Sequence, residues 1–527
     1  MRLLILIISF LTINLASFAK ESVEASRKLQ LTDLIIQKFY VDSIDANKIV
    51  EQGIIAMLKE LDPHSTYTTA EETKALTEPL NGNFSGIGVQ FQMVQDTVYV
   101  IQAVPSGPSE KVGIIPGDRI IAANDTIIAG LKLQNSQVMK QLRGPKGSIV
   151  NLKVVRRNEP DTLVFRVKRD DIPLYTIDAN FMADQNTGYI RISSFGATTV
   201  KEFNEAIEKL QKQGMKDLII DVQDNGGGYL ASAVNLTEQF LPEGTLIVYT
   251  EGLKQAVQRF TANNKKANTN SNIIILVNEF SASASEILAG AMQDNDRAVI
   301  VGRRTFGKGL VQRPFSFEDG SMIRLTTAHY YTPSGRSIQK PYSKGNIDDY
   351  KNDIENRFKH GEFYSLDSIK LDEKLKYHTA NGRVVYGGGG IMPDYFVPAD
   401  TTGITKYFKE LRAKNVINQY VVDFVESNRA NLNKYKTEDA FVNNFEVSTD
   451  MINDFIALGE KLGVSHNPDE FALSKSYILG NIKGLIGRDL FTSSTYYRVM
   501  NPLNDTFTTA LRIINNKEEY HQILNAE

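Results

Sequence analysis

From Ile172 onward the chain alternates apolar strand-like segments with amphipathic helical ones, and this alternation restricts its fold more than any other feature. "TGYIRISSF" precedes the helical "TVKEFNEAIEKLQKQ". The strand "KDLIIDV" leads through "QDNGGG" into "YLASAVNLTEQFL". "NIIILVN" leads into "SASASEILAGAMQ", and "RAVIVG" follows. Strands and helices in repeated order predict a sheet covered by helices and at least partly parallel. Two further strands, "LVQRPFSF" and "SMIRLTTAHYYT", close the region. A charged, Tyr-rich stretch then separates Gln339 from the loop "GGGGIMPD".

The flanks have a different grain. Lys20 to about Leu80 has helical periodicity, and Asp62-Pro63 ends its second helix. From Phe84 to about Asp171 the pattern is short strands with Gly/Pro turns, such as "FSGIGVQFQM" and "SIVNLKVVRR", which predicts a small β-rich module. The tail from about Thr402 reads as polar amphipathic helix without chemistry, suited to packing or self-association. The expected organisation is a leader over 1–19, a helical region over 20–82, the β module over 83–171, an α/β core over 172–401 with a charged insertion around 340–380, and a helical region over 402–527.

Composition removes several function classes. The formal net charge is -3, which does not suit bulk nucleic-acid or anionic-membrane binding. There is no cysteine, so disulfides, a cysteine nucleophile, thiolate metal sites and a lipid-modified cysteine are excluded. The six histidines are scattered without HExxH, and no metal site is expected. "MRLLILIISFLTINLASFA" has a positive Arg2, an apolar run from Leu3 to Leu15 and the small-x-small triplet Ser17-Phe18-Ala19. That is the pattern of a secretory leader cleaved near Ala19; the alternative is an uncleaved anchor, for which the run is short against a span of about 20 residues. The expected mature chain is exported, periplasmic in a bacterium, with no membrane span after cleavage.

Three glycine loops compete for a ligand. In "LIIDVQDNGGGYLA", Gly226, Gly228 and Ala231 satisfy GxGxxG/A, and bare N–H groups at a helix start can hold a phosphate or the oxyanion of a tetrahedral intermediate. Asp224 crowds the turn next to where phosphate would lie, which counts against a nucleotide. "GRRTFGKG" matches GxxxxGK, but Gly309 occupies the Ser/Thr position of a P-loop and a strand pattern follows where a helix is required. "FSGIGVQF" opens the β module with N–H groups suited to a peptide carboxylate.

Ser281, Ser283 and Ser285 start a helix, and any of them can be its cap. Ser283 with Glu286 fits the S/T-x-x-E capping box. A nucleophilic serine needs a base. His329 is the nearest histidine of this region, without an obvious acid partner, and there is no GxSxG elbow. Lys308, between two glycines, reads either as a solvated surface lysine or as a base. The second role requires its pKa to fall from about 10.4 toward neutrality, roughly three units or about 4 kcal/mol.

The run "SASASEILAGAMQDNDRAVIVGRRTFGKGLVQ" closely resembles the catalytic block of the carboxyl-terminal processing, or tail-specific, proteases. The likeness extends to "DVQDNGGG", "LTTAHYYTPSGRSIQ", "GGGGIMPD" and "ELDPHSTY", and the β module resembles their PDZ domain through "FSGIGVQF" and "VGIIPGDRIIAAND". Together it covers roughly residues 35 to 400. It implies a ClpP/crotonase-like mixed α/β core with an inserted PDZ module. It implies a serine endopeptidase with Ser283 as nucleophile, Lys308 as general base and Gln312 as orienting residue. The oxyanion hole falls on Ala284 and a loop glycine, Gly228 ahead of Gly227. Gly86, Ile87, Gly88 and Val89 would bind a substrate C-terminus. Arg143 reads either as a ligand-sensing arginine or as a surface charge of the hairpin. Asp62 and His64 read as structural. No metal, nucleotide or other cofactor is expected. The expected partners are proteins or peptides with apolar C-termini; an adaptor or activator and a homo-oligomer stay open. The competing reading is a catalytically silent PDZ-containing binding or scaffold protein on the same fold. The insertion and the tail depart from the compact family pattern.

Overall fold

The structure is a computed structural model that describes residues 23–525 apart from Asn158, Lys266 and Asn346, so the leader and its cleavage site lie outside the described residues. The chain divides into two compact units. The first comprises the residues up to Glu71 with 312–326 and 342–350. Its helix Ala46–Lys59 starts at Asp45, whose carboxylate accepts from Lys48 N–H. That bond satisfies one of the donors a helix start leaves open. Residues Thr66–Thr68 pair antiparallel with this unit's share of the strand Met322–Tyr331, Thr66 opposite Arg324.

The second unit is built on a six-stranded sheet. Its order is Ile177–Met182, Thr187–Ile192, Asp217–Asp221, Ile273–Val277, Val299–Gly302, Tyr395–Phe396. The first pair is antiparallel and the rest are parallel, the mixed α/β sheet that the alternation predicts. Every residue of "IIILV" is buried, as a parallel strand covered on both faces requires. Successive side chains on a strand point to opposite faces. Ile220, Ile275 and Ile300 therefore join the cluster with Leu288 and Met292 of the helix Ala284–Asp294. Ile219, Ile274 and Val299 join Phe507 and Ile513 of the helix Asp505–Asn515 on the other face. The helix Thr199–Lys212 buries Phe203, Ala206 and Leu210, the three- and four-residue spacing of an amphipathic helix.

The β module orders its strands Val89–Val94, Thr97–Ala103, Arg119–Ala123, Ile149–Val155, Leu163–Lys168. Ile149–Val155 alternates exposed and buried along its length. Val150, Leu152 and Val154 pack with Val138 and Leu142 of the helix Asn135–Leu142. The tail is helical, with its own core around Phe441, Phe455, Ile482 and Ile486. It also packs on the β module. Val422 clusters with Val94 and Tyr99, and Glu426 accepts from the two terminal guanidinium nitrogens of Arg119 at 3.0 and 2.8 Å. Among the described residues no helix is long and apolar enough to cross a membrane.

Candidate active site

The site grows from two loops at the ends of adjacent parallel strands. Asn225, in the turn after Asp217–Asp221, is fully buried. Its Nδ2 donates to Ile192 O at 2.8 Å and its Oδ1 accepts from Gly227 N–H at 2.8 Å. Its carbonyl accepts from Ala282 N–H and from the Ser285 hydroxyl. One asparagine thus ties the glycine turn to the serine segment. The fit is close: a Cβ on Gly227 would stand 2.8 Å from Ser283 Cβ and 3.0 Å from Ala284 N, and one on Gly228 would stand 2.2 Å from Phe195 O. Gly227 and Gly228 hold φ of +102° and +149°, a region that a side chain disfavours.

The three serines separate by environment. Ser281 and Ser285 are fully buried, and their hydroxyls donate to Val222 O at 2.7 Å and Asn225 O at 2.9 Å. They are structural. Ser283 alone is half-exposed, and it sits at φ +57°, ψ -112° at the mouth of the helix Ala284–Asp294. For a residue with a Cβ such a backbone costs roughly 1–3 kcal/mol and persists only where its surroundings enforce it.

Glu286 is the main enforcer, and it is fully buried. Its Oε2 accepts from Ser283 N–H at 2.8 Å and from Lys308 N–H at 2.9 Å. Its Oε1 accepts from Gly307 N–H at 2.7 Å and from the Thr305 hydroxyl. The Ser283 end of this arrangement is the return half of the S-x-x-E box read in the sequence. The remaining bonds reach the "TFGKG" loop, which no local pattern announces. Burial pushes the Glu286 carboxyl up, while its donors pull it down.

The Lys308 loop is held from several sides. Phe306 N–H donates to Ser281 O at 3.0 Å. Gly309 N–H donates to Gln339 Oε1 at 2.8 Å, and Thr305 Oγ1 accepts from Ile391 N–H at 2.7 Å. The conspicuous motifs "SGRSIQ" and "GGGGIMPD" therefore brace this loop. Lys308 itself is half-buried, and the chain leaves it as the strand Leu310–Ser316, not as the helix a P-loop needs.

Tyr330 was not legible as a site residue. Its hydroxyl donates to Ser283 O at 3.3 Å, and its side chain is buried. Alternation along the strand then turns its neighbour His329 to the opposite face, where it is exposed. The histidine singled out as a rival base is not brought to Ser283. Gln312 belongs to the first unit, where its Nε2 donates to Thr326 Oγ1 at 3.2 Å.

The β module carries a groove of about 480 Å³ lined by Ile87, Gly88, Val89 and Arg143, with Arg488 and Ser493 of the tail at its wall. Gly86 does not line it; it pairs with Asp170 between two short strands. The Arg143 guanidinium lies 4.3 Å from the Phe84 ring centre and donates to Glu78 at 2.9 Å, so it is more than a free surface charge. Among the described residues no group of His, Asp and Glu is arranged to hold a metal.

Comparison with known proteins finds related families and relatives. Residues 186–351 match peptidase family S41, residues 85–168 match a PDZ domain, and residues 407–492 match a family of unknown function, DUF8443. The chain is 36% identical to a probable CtpA-like serine protease of Staphylococcus epidermidis, over 60% of this chain and 64% of that one. It therefore spans just under two thirds of that relative's length. It is 33% identical to the carboxy-terminal processing protease CtpA of Bacillus subtilis, over 64% of this chain and 73% of the relative. It is 37% identical to a carboxy-terminal-processing protease of Bartonella bacilliformis, over 57% and 69%.

Proposed function

Because the chain belongs to peptidase family S41, the carboxy-terminal processing proteases, we propose that it is an exported serine endopeptidase with Ser283 as nucleophile and Lys308 as general base. The observation that carries this reading is the Glu286 carboxylate, which holds the strained Ser283 backbone and the Lys308 backbone together.

Ser283 Oγ attacks a peptide carbonyl while its proton passes to the neutral Lys308 amine. The carbonyl oxygen becomes an oxyanion held by backbone N–H groups. Ala284 N–H, at the first position of its helix, is one donor. Gly228 N–H is the better second donor, because Gly227 N–H is committed to Asn225. Collapse of the intermediate breaks the C–N bond, and Lys308 returns the proton to the leaving amine. Water then attacks the acyl-enzyme with Lys308 again as base, releasing the new C-terminus and restoring Ser283. Gln312, four residues beyond Lys308 in sequence, is the orienting residue of this reading, an amide that adds no charge to keep the lysine protonated.

The PDZ groove takes an extended apolar C-terminus by strand addition, with its carboxylate on the N–H groups of Ile87, Gly88 and Val89, the expected residues that line it. The leader read in the sequence directs the enzyme out of the cytoplasm.

The test is digestion of a denatured protein with an apolar C-terminus, read by mass spectrometry, with Ser283→Ala and Lys308→Ala alongside. Cleavage by wild type and by neither variant is expected. Cleavage that survives Lys308→Ala refutes the base assignment, and a wild type that binds such C-termini without ever acylating Ser283 is a binding protein instead.

A further inference from the structure

The motif "ELDPHSTY" supplies Asp62, a carboxylate that the catalytic assignment leaves unused. Asp62 is 7% exposed and Ser65 5%. Asp62 Oδ1 accepts from His64 N–H at 2.8 Å, from Ser65 N–H at 2.9 Å and from the Thr326 hydroxyl at 3.0 Å. Its Oδ2 accepts from the Ser65 hydroxyl at 2.6 Å, and Ser65 Oγ in turn accepts from Thr326 N–H at 3.1 Å. Thr326 is therefore gripped at two points, backbone and hydroxyl, by one turn. Its Oγ1 then meets Gln312 Nε2 at 3.2 Å.

The direction of these bonds follows from chemistry. An ionised carboxylate only accepts. The single hydroxyl proton of Thr326 is committed to Asp62, so toward Gln312 that oxygen can only accept. The NH₂ end of the Gln312 amide is the end that can supply the bond. Its carbonyl oxygen is thereby fixed at the other end. Without Asp62 the hydroxyl rotates, and either end of the amide satisfies it equally.

We propose that Asp62, acting through Thr326, is a positioning residue that sets which way round the Gln312 amide sits, its NH₂ on Thr326 and its oxygen at the opposite end. This rests on the reading of Gln312 as the residue that orients Lys308. That role asks for the amide oxygen, because a base must keep its lone pair for the serine proton, and an amide turned the other way has only N–H to give. A turn that reads in the sequence as purely structural thus acts on the reaction.

The experiment measures kcat and KM of the full-length mature enzyme on the denatured protein substrate. Asp62→Asn removes the acceptor but also loosens the turn, so the decisive variant is Thr326→Val, nearly the same shape. A group out of alignment costs about ten- to a hundredfold. Thr326→Val is expected to lower kcat by that factor with KM and melting temperature little changed, and Thr326→Ser to restore it. In a Gln312→Ala background Thr326→Val should cost nothing more. An equal loss in both backgrounds overturns the proposal, as does wild-type kcat in Thr326→Val or in Gln312→Ala. Those outcomes leave the dyad standing. Activity in Lys308→Ala removes the dyad itself, and is thereby distinguished from failure of the positioning role.

Discussion

Replacing Glu286 by glutamine changes one atom and tests the central claim about the site. The carboxylate accepts from Ser283 N–H, Lys308 N–H, Gly307 N–H and the Thr305 hydroxyl. A glutamine can accept at one end only. If its nitrogen takes the Oε2 place, two half-buried N–H groups lose their acceptor, at up to about 1–3 kcal/mol each. If it takes the Oε1 place, Gly307 N–H alone is orphaned and the Thr305 hydroxyl has to turn, so this orientation wins. The surviving bonds to Ser283 and Lys308 then fall to neutral strength, about half that of charge-assisted ones. Relief of the buried charge, which holds this carboxyl above its usual range, offsets part of the loss. The net expectation is destabilisation of about 1–3 kcal/mol by urea unfolding. The same clamp holds the Ser283 backbone in its strained conformation, so relaxation lowers cleavage by roughly tenfold for each 1.4 kcal/mol of lost alignment. Ser283→Ala is the control, expected to abolish cleavage and to leave stability within about 0.5 kcal/mol. Wild-type stability together with wild-type cleavage in Glu286→Gln would refute the reasoning.

Other expectations follow from separate parts of the molecule. Gly228→Ala places a Cβ 2.2 Å from Phe195 O, so loss of soluble, active enzyme is expected on expression and assay. Arg336 and Asp294 form an ion pair at 2.7 Å with neither side chain exposed, and Arg336→Ala should cost about 3–5 kcal/mol in denaturant unfolding because it strands a buried charge. The Arg119–Glu426 pair is partly exposed on the arginine side, so a double-mutant cycle should return a coupling of about 1 kcal/mol; zero coupling would mean that this ion pair adds nothing to the hold of the tail on the PDZ module. Burial raises the folded-state pKa of both Glu286 and Asp394. Folding therefore takes up protons at these sites, and their contribution is full below the ordinary carboxylate range and lost as pH rises through the raised values. Glu286→Gln should make the stability–pH slope in that window less negative.

Much of the fold is written in local pattern. Alternation of strands and helices in 172–401 predicts a sheet with parallel pairs, and the sheet has them, because hydrophobic spacing over a few residues decides which face an element buries. The glycine turns and the S-x-x-E box are likewise short-range signals. What tertiary structure alone decides is which copies of a pattern are left open for chemistry. Three serines look alike in "SASAS"; only the partners Val222 and Asn225 remove Ser281 and Ser285 from contention. His329 and Tyr330 are neighbours in sequence, yet the pairing of their strand brings the tyrosine, not the histidine, to Ser283. Glu286 reads as a helix cap until the Lys308 loop folds onto it. Asp62 and Thr326 are 264 residues apart in the chain. Spacing over a few residues settles an element's type and its buried face, whereas contacts closed across hundreds of residues depend on how those faces pack, and no window of sequence contains that.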